Sequence, residues 1–122
     1  MRIFFKVLLS LLFCCAFNTN ATEDNEIVNI TPSMIRWKKF PQPYVENAFL
    51  HGYDRELEIL IEANEKGKIK KVKLVKSSGL AYVDIQFLLA VKKASFIPYQ
   101  ENGIYYPIRV LQPFKLEATR EP

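Results

Sequence analysis

At 122 residues the chain has room for one domain, which excludes multi-domain readings. Apolar residues at 49% and charged residues at 25% are those of a globular protein, which sets aside disorder, collagen and coiled coil. The formal charge of +4 falls to +2, 15 basic residues against 13 acidic, once Arg2 and Lys6 are assigned to a removable leader, too small an excess to argue for nucleic acid or anionic lipid.

That leader is residues 1–21. Arg2 and Lys6 form a basic start, Val7 to Phe17 is apolar except for Ser10, and Thr19-Asn20-Ala21 puts small residues at the cleavage positions of a secretory signal peptide. At roughly 1.5 Å per residue the apolar stretch covers about half of a 30 Å hydrocarbon core, so cleavage is expected over a spanning anchor. A membrane-tethered reading would keep residues 3–17 uncleaved. Cys14 and Cys15 are the chain's two cysteines, and the bulky residues before them disfavour lipid attachment. Cleavage after Ala21 leaves no thiol and no disulfide.

Residues 22–40 read as a poorly ordered lead. Thr22 to Glu26 is polar and acidic, and the short run Ile27-Val28-Asn29-Ile30 allows a brief strand before Thr31-Pro32 stops it. Trp37, beside Lys38 and Lys39, is either a surface-stacking aromatic or a tryptophan folded back on the domain, and the second reading is preferred. The domain itself is expected over residues 41–117, with 118–122 as a tail. Pro41 and Pro43 introduce Tyr44 to Leu50, where Tyr44 and Ala48 recur at helical spacing until Gly52, which predicts a short first helix.

Glu56 to Glu62 and Ile69 to Lys76 alternate between polar and apolar residues and are joined by Asn64-Glu65-Lys66-Gly67, which predicts a hairpin. With Asn64 facing Gly67 across the turn, Leu57 meets Leu74, Ile59 meets Val72, Glu58 meets Lys73, and Glu62 lies diagonal to Lys71. One face is then apolar and the other carries glutamates and lysines; a one-residue slip would bury charge. The lysines Lys66, Lys68, Lys70, Lys71, Lys73 and Lys76 are accordingly a solvated face and a protected edge, not a nucleic-acid patch. After the Ser77-Ser78-Gly79 turn, Tyr82 to Ala94 is predicted to be a helix, with Asp84 near its start and Lys92 and Lys93 at its end. Val83, Phe87, Ala90 and Ala94 form its core stripe. Tyr105 to Leu116 is a final strand, with Ile108, Val110, Phe114 and Leu116 on one face and Arg109, Leu111 and Lys115 on the other.

Connection rules assemble these elements as α+β: two helices packed on a three-stranded antiparallel sheet in the order second, first, last. Pro107 and Pro113 are an even number of residues apart, so both nitrogens point the same way, and only the outward direction spares the ladder to the central strand. The outer edge of the last strand is therefore expected to offer a pairing window at Ile108, Arg109, Val110, Leu111 and Gln112. Exposed edges also invite strand exchange into a homodimer.

Catalysis finds little support. His51, the one histidine, has no acid or thiol partner at a motif spacing. Ser77-Ser78-Gly79 lacks the glycines of a nucleophile elbow, and its serines suit turn capping. Glu56, Glu58 and Glu62 read as a solvated ladder beside lysines, not a metal set. Tyr99, Tyr105 and Tyr106 around Gly103 offer either a binding platform or partial burial over the helix end, the second preferred. The chain is expected to be no enzyme and to need no cofactor.

The order Pro41-x-Pro43-Tyr44, Ala48, Gly52, the hairpin with Gly67, Val72-x-Leu74 before Ser77-Ser78-Gly79, Asp84, Phe96-x-Pro98, Gly103 and Phe114-x-Leu116 resembles the C-terminal domain of the TonB energy-transducer family, over about residues 41–117. Val45 and Arg55 stand where that family usually has proline and glycine. The resemblance implies a periplasmic domain that takes a short segment of an outer-membrane transporter as an added strand, on the edge at residues 108–112. It also implies a membrane anchor and a long proline-rich spacer. Between Ala21 and Pro41 lie about twenty residues, at most roughly 70 Å when extended. A cleaved chain is therefore expected to bind a protein or peptide without transmitting force.

Overall fold

The computed structural model describes residues 26–119, so the leader with Cys14 and Cys15 and the last three residues lie outside the described part. Its centre is β3 (Arg55–Ala63), which pairs antiparallel with β4 (Ile69–Lys76) on one side and β8 (Ile108–Leu116) on the other. The order of these three strands is the expected one. Along β3 every second residue is buried: Leu57, Ile59 and Ile61 are fully sequestered while Glu56 faces solvent, the signature of a sheet covered on one side. The cover is α1 (Ala81–Lys92), which buries Val83, Phe87, Ala90 and Val91, with the Phe87 ring 5.1 Å from that of Phe114 on β8.

Three expectations are corrected. The first concerns the helix count. Instead of a helix over Tyr44 to Leu50, one 3-10 turn spans Asn47–Leu50, since the preceding Glu46 is extended and His51 and Gly52 both turn left-handed at φ 56° and 79°. Four residues between such limits cannot nucleate an α-helix. Leu50 nevertheless enters the core.

The second is the sheet, which is four-stranded and mixed: β1 (Val28–Ile30) lies parallel to β8 on its outer side, giving the order β1-β8-β3-β4. The lead in which little order was expected thus supplies a strand of the main sheet. It also supplies β2 (Trp37–Lys39), which pairs with β5 (Ser95–Phe96) and lays Trp37 against Phe96 at 4.5 Å between ring centroids. Trp37 is folded back on the domain. β6 (Gln100–Glu101) and β7 (Ile104–Tyr105) close a separate small hairpin through Asn102 and Gly103, both at positive φ, so the final strand begins at Ile108 and not Tyr105.

The third is the β3/β4 register. Ile59 meets Leu74, Ile61 meets Val72 and Glu62 meets Lys71, two residues along from the expected pairing. A two-residue loop would have required positive φ at Glu65 and Lys66. Instead Gly67 alone takes it, at 83°, while Asn64 Oδ1 accepts the amides of Lys66 and Lys68, and a bulge follows near Lys70. A shift of two preserves which face each side chain occupies, so the inside and outside of both strands stand as expected.

Candidate functional site

The outer edge of β8 follows from two prolines and a register. Pro113 lies opposite Glu58 and Arg109 opposite Glu62, in an unbroken antiparallel ladder from Arg55–Leu116 to Ala63–Ile108. Proline nitrogens that point away from β3 place the main-chain groups of residues 107, 109, 111 and 113 on the outer side. The carbonyl of Pro107 does point there, because it accepts the Val28 N–H at 2.9 Å.

Of the five residues expected at the edge, Ile108 and Val110 send their side chains into the core. Arg109 lies on the opposite face, where Nε donates to Glu62 Oε2 at 3.0 Å and Nη1 reaches Asn29 Oδ1 at 3.4 Å. Leu111 is exposed beside Leu60 of β3, and Gln112 Nε2 donates to its neighbour's carbonyl, Pro113 O, at 2.9 Å. All five sit on one strand, but its first three are not free: Val28, Asn29 and Ile30 stand beside Ile108, Arg109 and Val110. Sequence reasoning marked Ile27 to Ile30 as a brief strand and missed where it goes. The short apolar run that allowed a strand carries no information about its partner.

The opposite edge, β4, is different. Its exposed Lys70, Lys71, Lys73 and Lys76 line it, while Val72 and Leu74 turn inward. Its ends are pinned. Gly67 O accepts the Phe96 amide at 2.8 Å, and a Cβ at Gly67 would lie 2.0 Å from Phe96 O, so only glycine permits this approach. At the other end Asp84 is buried and gathers the turn that follows β4: it accepts from the Ser78 N–H at 2.8 Å, from Ser78 Oγ at 2.6 Å and from the Ser77 hydroxyl. Burial alone would raise the Asp84 pKa, but these bonds outweigh it and hold the carboxyl below its ordinary range. Asp84 therefore anchors a turn.

His51 occupies a left-handed position at the surface. Tyr99 donates to Glu101 at 2.7 Å, which keeps its hydroxyl pKa above the ordinary value, and the half-buried Tyr99 receives the Tyr106 amide at its carbonyl. No helix among the described residues is long and apolar enough to cross a membrane.

Residues 36–110, more than half of the chain, match the family described as TonB C terminal. The chain belongs to the TonB C-terminal family. The fold agrees: the solution structure of the Pseudomonas aeruginosa TonB C-terminal domain superposes with a TM-score of 0.57 at 16% identity, covering 80% of this chain and all of that one. No curated protein matches the chain. Membership of the TonB C-terminal family brings a TonB-like role in transport, a place in the periplasm or envelope, and the family's character as a non-catalytic energy-transducer domain that interacts with outer-membrane transporters.

Proposed function

We propose that this is a non-catalytic periplasmic domain that binds an extended segment of a protein partner, a segment of an outer-membrane transporter, by strand addition on the outer edge of β8. The observation that carries this reading is β1 itself: within the chain, that edge accepts a parallel strand through main-chain bonding at Pro107. Strand addition takes its affinity from main-chain hydrogen bonds and its specificity from alternate side chains, and β8 supplies both an outward backbone row and a neighbouring arginine. The lysine-lined edge of β4 suits a guarded boundary instead.

The test compares the two edges in intact cells. A photo-crosslinking residue at Leu111, on β8, should yield an adduct with the extended segment of an outer-membrane transporter, and the same residue at Val75, on β4, should not. Equal adducts at both positions, or none at Leu111, would remove the reading.

A further inference from the structure

We propose that β1 is a displaceable occupant of the docking edge and a template for what replaces it. The replacement is an extended partner segment running parallel to β8, with an apolar–polar–apolar triplet whose middle side chain accepts a hydrogen bond from Arg109. This rests on the strand-addition reading above and adds to it a competitor and a specificity.

The competition is geometric. Val28 N–H engages Pro107 O, and in a parallel ladder with Val28 beside Ile108 the outward N–H groups of Arg109 and Leu111 face the carbonyls of Val28 and Ile30. A second strand cannot use those groups while β1 holds them. The hold is weak by construction. β1 is three residues long and parallel, whereas the β3/β8 ladder beneath it runs nine residues and is antiparallel. Val28 is only half-buried, and Ile30, its one fully packed side chain, borders a cavity of about 260 Å³ shared with Ile108 and Phe96. Beyond Ile30 the chain turns away at Thr31 and Pro32. Short elements with few buried contacts lie at the low end of local opening free energies.

The specificity is read from the occupant. Val28 and Ile30 face the core and Asn29 faces Arg109. The Arg109–Asn29 bond is long at 3.4 Å and ends on a neutral amide, while Arg109 Nε is already committed to Glu62. A carboxylate in the Asn29 position would make the stronger, charge-assisted bond, and an ammonium would be repelled.

The probe is a synthetic peptide with the sequence of residues 26–31, blocked at both ends and titrated against full-length protein and two variants, Val28→Pro and Ile30→Ser. The first removes the donor to Pro107 and the second the buried anchor, so either one alone remains informative if the other misfolds. Amide exchange at Arg109 and Leu111 should accelerate about tenfold or more in both variants, and peptide affinity should rise by the same factor as the edge-open fraction grows. Exchange at Lys71 and Lys73, which bond inward to β3, should not change. The Asn29→Asp peptide should bind tighter than the parent and the Asn29→Lys peptide weaker. If the wild-type chain binds the peptide as tightly as the variants, or its Arg109 and Leu111 amides exchange as fast, β1 is no gate and the inference fails while strand addition stands. If those amides open in the variants and no peptide binds, strand addition itself fails. A wild-type dimer that exchanges β1 between copies would overturn the choice of a partner segment as the occupant.

Discussion

β4 and β8 flank the same central strand, yet they solve the exposed-edge problem by different means. β4 relies on charge: four lysines line it, and both of its ends are fixed, one by the Gly67–Phe96 backbone contact and the other by Asp84 gathering the following turn. β8 relies on the chain's own β1, three residues laid on by main-chain pairing. A lysine-lined edge disfavours strand addition at all times. An edge covered by a removable strand is protected only until a better strand arrives. On the strand-addition reading proposed above, the difference separates a boundary from a binding surface within one sheet.

The comparison is broken most severely at Gly67. Gly67→Ala would drive a methyl group into Phe96 O from a left-handed backbone position, and thermal or denaturant unfolding should show a loss above about 3 kcal/mol. A loss below about 1 kcal/mol would mean that the turn is not the rigid end of β4 that it looks to be.

Asp84→Asn comes next, at about 1.5–3 kcal/mol, the range for hydrogen bonds to a charged group. Here pH sharpens the test. The carboxyl is depressed in the folded state, so its contribution is fully present above the unfolded value of about 3.9 and disappears as pH falls through the lower folded value. The variant should lack that acid-limb loss of stability; an unchanged limb would place the acid sensitivity elsewhere.

On the β8 side, Arg109→Ala removes a partly exposed ion pair with Glu62 and should cost no more than about 1 kcal/mol in a denaturant melt. A larger cost would make Arg109 structural and weaken its role in selecting a partner. The smallest stability effect belongs to replacing Lys70, Lys71, Lys73 and Lys76 together with threonine, within about 0.5 kcal/mol per site. Its readout is association: sedimentation should show self-pairing through β4, and a chain that stays monomeric would show that charge is not what guards that edge.

Much of this architecture was legible because alternation and helical stripes report burial directly. β3, β4, α1 and the order of the three antiparallel strands follow from residues such as Leu57, Ile59 and Val83, whose inward direction is dictated locally. What failed depended on turn chemistry or on partners far away in sequence. The hairpin register turned on whether Gly67 or Glu65 and Lys66 would take positive φ. The small hairpin at Asn102-Gly103 had a strong turn signal but flanks of two residues, too short to alternate. The expected first helix took Gly52 as its end but did not anticipate the extended Glu46 before it or the left-handed His51 at its close. At the candidate site, the outward direction of β8 was readable from Pro107 and Pro113, since a missing donor constrains geometry within one strand. That Val28, Asn29 and Ile30 would come to lie there was not, because nothing in three residues names a partner 80 positions on.

That separation also sets an order in time. Ribosomes deliver β1 before any other strand, yet its acceptor β8 is among the last residues made, and β8 cannot present an edge until β3 has paired with it. Each newly made domain is therefore expected to close its three antiparallel strands before β1 joins them as the fourth, and in that interval the outer row of β8 stands vacant.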